Sequence, residues 1–452
     1  MKQHGYRRRL LAMLLSMGLI GPVSAESISL AQAWQQVDDS SALLAAERQV
    51  EARALAERRA AGALGGPSLS LGATYLNMEK PLGLDVNGLV PGLPISVPSL
   101  DLTEREIYRT SLRGSWPIYA GGRIQAAQAV KDAELDAQRQ QVEIQRRERF
   151  NLLVQRYYGV LLAQRNAELR EAQVSARRTH QRHADLLAEQ GQIAEVERLN
   201  AQVAFDQARL GYASAQRQVQ LAQQALDSLL QLNDSQPRAY RATTLALPEI
   251  APLRRDMLSA HPALRLFDAK QRQAKGAIAA EKGRYKPELG LFGSYTLAED
   301  SSVLSELEPE WFVGVRFTMP IVTNDGRSGR LQAARSAELE VRHRRAQTEQ
   351  DLRLLLDSQY QAMEQAAFEY ETYASSIALA SENRRLRQLA FQQGLATSVE
   401  LVDADQSLLA AQLGQAQAQY HYLTASAQVM TLAGQMTQFI ERSGSLWQEI
   451  EQ

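Results

Sequence analysis

The chain has no cysteine. Disulfides, thiolate metal sites, a cysteine nucleophile and an acylated N-terminal cysteine are thereby excluded. Long apolar runs are missing too: after residue 25 no segment reaches the roughly 18 consecutive apolar residues of a membrane-spanning helix. Aromatic residues are sparse, at 6% of 452 residues, and no basic block or basic-aromatic interleaving occurs, so nucleic acid is not expected as a partner. The six histidines are scattered, and no nucleophile, base and orienting group stand out. Neither an enzyme nor a cofactor or metal site is expected.

Ala, Gln, Arg, Glu and Leu are what the chain does have, a composition suited to long narrow helices. At the N-terminus, Lys2 and Arg7 to Arg9 precede an apolar run from Leu10 to Ile20, and Val23-Ser24-Ala25 offers the small residues a signal peptidase needs. Export is expected, with the mature chain starting at Glu26. The apolar run is far short of the ~20 residues of a helical anchor. Loss of residues 1–25 removes four basic and no acidic residues, taking the formal net charge from -1 to -5.

Sliding the sequence on itself shows one unit twice. Pro67-Ser68-Leu69 with Leu71 and Tyr75 matches Pro287-Glu288-Leu289 with Leu291 and Tyr295 at an offset of about 220. Trp116-Pro117-Ile118 with Gly122-Arg123 pairs with Met319-Pro320-Ile321 and Gly326-Arg327, and Gly191 with Glu197 pairs with Gly394 and Glu400, at an offset of about 203. The first copy therefore has the longer loop between its strands.

Each unit reads helix, strand, loop, strand, very long helix, tight turn, returning helix. Helical patterning covers Leu30 to Ala63, Ile124 to Glu189 and Ala194 to Leu232, then Pro262 to Lys282, Gly329 to Gln393 and Val399 to Leu432. The expected organisation is a signal peptide, 1–25; a first repeat, 26–235, with strands near 68–77 and 107–118 and a turn near 191; an equatorial linker, 236–260; a second repeat, 261–434, with strands near 287–297 and 310–320 and a turn near 394; and a C-terminal equatorial tail, 435–452. Helices of ~65 residues at ~1.5 Å each extend about 100 Å, beyond what one globular chain buries. Leu135, Val142, Phe150, Leu153 and Tyr157 recur at coiled-coil spacing opposite a broad polar face.

The four strands alternate. Leu69, Leu71, Ala73 and Tyr75 face away from Ser68, Ser70, Gly72 and Thr74; Trp311, Val313, Val315 and Phe317 face away from Phe312, Gly314, Arg316 and Thr318. Each is about the length of a tilted transmembrane strand. Periodicity alone also admits a soluble sheet packed on helices. In lipid an open sheet edge leaves backbone groups unpaired at several kcal/mol each, and four strands are too few to close. Several copies must then share one barrel, of eight, twelve or sixteen strands.

Pro117-Ile118-Tyr119-Ala120-Gly121-Gly122-Arg123, its echo from Pro320-Ile321 to Gly326-Arg327, the His261-Pro262 helix start, and the segment from Gly394 through Thr397-Ser398-Val399-Glu400-Leu401-Val402-Asp403 to Ala404 together resemble the TolC-like outer-membrane efflux proteins. The likeness spans the mature chain in both repeats. It implies a mainly α fold with a membrane β-barrel: a homotrimer whose twelve-stranded barrel, four strands per chain, continues into a periplasmic α-helical tunnel closed by an iris of helix ends. It also implies localisation in the outer membrane with a large periplasmic part. Such ducts are passive, docking through a periplasmic adaptor, or membrane fusion protein, onto an inner-membrane transporter in tripartite efflux or type I secretion.

The resemblance places Glu400 and Asp403 at the periplasmic aperture. Their i, i+3 spacing shares one helix face, so three chains would form a ring of six carboxylates favouring cations; a solvated coiled-coil face has the same spacing. Glu197 and Asn200 hold the equivalent places in the first repeat and are expected to be less involved. Where the family often carries a hydroxylated aromatic and an arginine, this chain has Phe391 and Ala396. Gln190, Gly191, Gln192, Gln393, Gly394 and Leu395 would be the adaptor-contacting tips, although plain helix-ending turns fit the sequence equally. The loop from Glu79 to Glu104, with four prolines, is expected to fold over the barrel mouth. The acidic loop from Ala298 to Glu310 is expected to face lipopolysaccharide-bound cations.

His180 and His183 have helical spacing for one metal but no third ligand in view, and are expected to be an exposed pair. Gly62-Ala63-Leu64-Gly65-Gly66 lacks the Lys-Ser/Thr of a phosphate loop and reads as a helix-to-strand break. A periplasmic adaptor or structural coiled-coil protein is the alternative function, but adaptors usually carry one hairpin flanked by soluble β-domains. A periplasmic hydrolase lacks its catalytic set. The cargo stays open.

Overall fold

The computed structural model describes residues 27–84, 100–238, 247–299 and 303–445. The expected signal peptide, the centre of the expected lid at 85–99, and 446–452 of the tail lie outside the described residues. In chain order the main elements are α1 (Leu30–Ser40), α2 (Ala42–Gly62), β1 (Ser68–Asn77), β2 (Glu106–Ala120), α3 (Arg123–Glu189), α4 (Glu195–Leu230), α5 (Ile250–Ala260), α6 (Pro262–Gly283), β3 (Glu288–Glu299), β4 (Trp311–Thr318), α7 (Arg327–Gln392), α8 (Ser398–Leu432) and α9 (Met436–Ser445).

The long helices α3 and α7 contain 67 and 66 residues. Among the described residues no helix is long and apolar enough to cross a membrane. The stretch from Leu30 to Ala63 is two helices rather than one. Ser41 leaves the helical region at φ -66, ψ 113, and its hydroxyl accepts from the Leu44 N–H at 3.4 Å; such a local side-chain cap competes with the helical ladder. The linker and tail contain α5 and α9, which the sequence reading left without structure.

The chain divides into two compact units, residues 1–45, 144–261 and 351–452, and residues 46–143 and 262–350. The second unit holds an antiparallel sheet in the order β1-β2-β3-β4. Cross-strand partners share a face, and here the register sorts them by polarity. Leu71, Leu112, Tyr295 and Trp311 form one row, and Leu69, Gly114, Gly293 and Val313 the next. On the other face Ser70, Arg113, Ser294 and Phe312 align, beside Ser68, Ser115, Phe292 and Gly314.

Leu69 and Val313 on the apolar face are 71% and 74% exposed, so none of the described residues covers them. On the polar face the Arg316 guanidinium lies 4.8 Å from the Phe292 ring centroid, and the ring fills the space a Cβ on Gly314 would take. β2 continues through Pro117 because a register shift between Pro117 and Tyr119 absorbs the missing N–H. The outer edges of β1 and β4 carry no partner strand among the described residues.

The first unit has its core where the coiled-coil pattern of α3 is densest. Phe150, Leu153, Val154 and Tyr157 pack with Trp34, Leu226, Leu230, Met363, Leu423 and Phe439. Trp34 meets Phe150 edge-on at 5.2 Å, and Phe150 meets Phe439 at 6.1 Å. The Tyr157 hydroxyl donates to the Ile28 carbonyl at 2.9 Å, next to the short parallel ladder joining Ser27–Ile28 to Gln236–Pro237.

Candidate functional site

The two long hairpins of the first unit, α3–α4 and α7–α8, reverse by the same device. Gly191 N–H donates to the Ala188 carbonyl at 2.9 Å and Gln192 N–H to that of Leu187 at 2.8 Å; Gly394 and Leu395 repeat this to Phe391 and Ala390 at 3.0 and 2.8 Å. Both are Schellman closures, which need a left-handed residue. Gly191 and Gly394 supply it with φ of +74° and +70°, as the sequence reading required of them. Gln190, Gly191, Gln192, Gln393, Gly394 and Leu395 are all exposed, and Leu395 is 77% so.

After the second turn Thr397 caps α8, its hydroxyl accepting from the Glu400 N–H at 3.3 Å. Glu400 thus occupies the third position of the helix, and its carboxylate turns to Arg387 of α7 at 3.0 Å. Both Glu400 and Asp403 are exposed. Phe391 and Ala396 do not form a polar contact; they join an apolar knot with Ala184, Ala201 and Leu401.

Beneath this knot lies a buried polar cluster, of which the sequence offers only His180, there as half of an exposed pair. Arg177 of α3 has a side chain 1% exposed; its Nη1 is 3.3 Å from Asp405 Oδ2 on α8, and its Nη2 donates to the Val402 carbonyl at 2.7 Å. Arg384 of α7 grips the other Asp405 oxygen at 2.5 Å. One helix turn along α3 from Arg177, His180 is buried, with Nε2 2.6 Å from the Ser398 hydroxyl and its ring 4.5 Å from that of Phe391. Burial first, and then the neighbouring Arg177 charge, push the His180 pKa down to about 4.

Two expectations are corrected here. His180 is not part of an exposed pair: with Arg177 and Ala184 it continues the buried stripe of α3, and only His183 is half-exposed. Among the described residues no group of three or more His, Cys, Asp or Glu is placed to hold a metal. Glu197, expected to matter less, instead joins the hairpins: its carboxylate accepts from the Ser398 N–H at 2.7 Å, capping α8 from α4.

A family model described as outer membrane efflux protein matches residues 30–231 and 253–435. No curated protein sequence matches the chain. Similar solved structures include the outer-membrane channel OprN, 17% identical, covering 90% of this chain and 89% of that chain at a TM-score of 0.77. VceC of Vibrio cholerae, described as an outer membrane protein, is 15% identical over 90% of this chain and 96% of that one at 0.75. The outer membrane channel CmeC of Campylobacter jejuni is 16% identical over 92% and 89% at 0.76. At such identities the likeness concerns the fold.

Proposed function

The chain belongs to the outer membrane efflux protein family, and on that premise we propose that three copies form the passive exit duct of a tripartite efflux or type I secretion system. It is an outer-membrane protein with a periplasmic helical part. The observation that carries the reading is the sheet: one face is apolar and bare, the other polar, and neither edge has a partner strand among the described residues. Hydrocarbon admits such a sheet only when its edges pair with those of sister copies. Twelve strands from three chains make a barrel wide enough for a polar lumen.

The duplicated hairpins then form the tunnel, with the two repeats at 26–235 and 261–434 as its halves. Their matching exposed turns, at 190–192 and 393–395, meet a periplasmic adaptor. Glu400 and Asp403 line the narrow end, while an inner-membrane transporter supplies energy and selects cargo.

Purification from outer membranes into mild detergent, followed by particle-mass measurement and planar-bilayer recording, tests the duct. A particle of three chains that forms a conducting pore is expected. A monomer that stays dispersed in plain buffer and forms no pore overturns it.

A further inference from the structure

The hairpins α3–α4 and α7–α8 enclose a cavity of about 340 Å³, lined by His180 and His183 of α3, Arg384, Gln388 and Gln392 of α7, and Asp405 of α8. That is the size of a small-molecule site, about 300 Å³ upward. Its charge is unbalanced. Among the described residues Asp405 is the only carboxylate on the wall, and it is shared between Arg177 and Arg384; Asp403, which also attracts Arg177, is exposed to solvent.

Polar side chains of α3 and α7 line the same space. Arg384 spends its Nε on Asp405, and its Nη groups have no protein partner among the described residues. His180 Nδ1 is buried with no hydrogen-bond partner.

We propose that this cavity is a binding site for a small oxyanion, a carboxylate or a phosphate. The ion accepts from the Arg384 Nη groups, His183 and the Gln388 amide, and so bridges α3 to α7. It completes the charge balance around Asp405 and holds the two hairpins together. Nothing in this depends on what passes through the duct.

The test uses the full-length protein in detergent at pH 7 and constant ionic strength, titrated with inorganic phosphate or with succinate while heat of binding and melting temperature are followed. One ion is expected to bind saturably at one site per chain and raise the melting temperature; whichever of the two binds more tightly identifies the phosphate or the carboxylate source. His183→Ala and Gln388→Ala, singly and together, are expected to weaken binding, by about tenfold or more for the pair, with the ion-free melting temperature kept. Arg385→Ala, outside the cavity and paired with Glu382, is expected to bind as the parent does. No saturable response to either ion, or unchanged affinity in the double variant, overturns the proposal.

Discussion

Arg177 and Asp405 face each other at 3.3 Å with side chains 1% and 8% exposed, joining α3 of the first hairpin to α8 of the second. Both charges have left water, and Asp405 also accepts from the Arg384 Nε. Removing the carboxylate strands two guanidiniums side by side, whereas apolar replacement of the whole group removes the desolvation cost with it. Asp405→Asn is therefore expected to lower stability by about 3–5 kcal/mol. The triple change Arg177→Met, Arg384→Met, Asp405→Leu should recover most of that loss. Thermal unfolding of the three proteins in one detergent decides; equal melting temperatures for parent and Asp405→Asn would show that the cluster carries no such load.

The buried histidines give the tunnel a pH limit. His180 and His261 both have pKa values pushed down to about 4, by burial first and then by Arg177 and Arg147 respectively. The unfolded chain binds these protons near pH 6.5, so between 6.5 and 4 it is the unfolded state that takes them up. Stability is therefore present above 6.5 and lost as pH falls toward 4, by roughly 3 kcal/mol for each histidine. The charges facing His180 are Arg177, His183 and Asp405. His180→Gln is expected to halve the slope of melting temperature against pH in this window. An unaltered slope would mean that His180 stays unprotonated in both states.

How much of this was legible in the sequence follows from which signals are local. Strand alternation and the paired glycines are local, and they place β1 through β4 and both turns within a few residues of where they lie. The break at Ser41 was missed because a serine inside an apolar pattern reads as a tolerated guest until its hydroxyl is seen to cap Leu44. Arg177 and Asp405 carry no such signal, because charge normally marks the wet face, and for the same reason His180 reads as half of an exposed pair. The available clue was their phase: Arg177, His180 and Ala184 stand at three- and four-residue spacing on α3, and Leu401, Ala404 and Asp405 form the buried stripe of α8. Glu197 capping Ser398 across 201 residues has no local signature.

Replacing Gly191 or Gly394 with alanine puts a Cβ on backbone at φ +74° or +70°. Neither glycine has another atom within 4 Å of that Cβ, so the cost is conformational alone, roughly 1–2 kcal/mol. Each variant should melt slightly lower and keep its helix content by circular dichroism. If the tips are the adaptor contact, both should also weaken binding of purified adaptor while pore formation in bilayers stays intact. Adaptor binding equal to the parent in both would remove the turns from that role.

The acidic residues at the proposed narrow end are not equivalent. Glu400 is paired with Arg387 at 3.0 Å, which offsets its charge, whereas Asp403 is exposed and has no ion pair among the described residues. Asp403→Asn is expected to weaken block by divalent cations more than Glu400→Gln does, and the two together to raise conductance further. Single-channel recording with and without millimolar magnesium checks the order. Identical block in all four proteins would take both residues out of the aperture.

The sheet faces make opposite demands on the same substitution. Val315, 63% exposed on the apolar face, sits beside Leu291 of β3. Ser115, on the polar face of β2, sits beside Phe292, the next residue of β3. At equal depth, an arginine at 315 would have to lie in hydrocarbon, costing roughly 2–4 kcal/mol near the bilayer midplane. An arginine at 115 would share the polar face with Arg113 and Arg316, the face toward the lumen in the proposed barrel. Val315→Arg is therefore expected to reduce the assembled outer-membrane fraction several-fold, and Ser115→Arg to leave assembly intact while shifting ion selectivity toward anions. A soluble sheet packed on helices predicts no such asymmetry in membrane recovery, so equal recovery of the two variants would turn the sheet away from lipid and take the shared barrel with it.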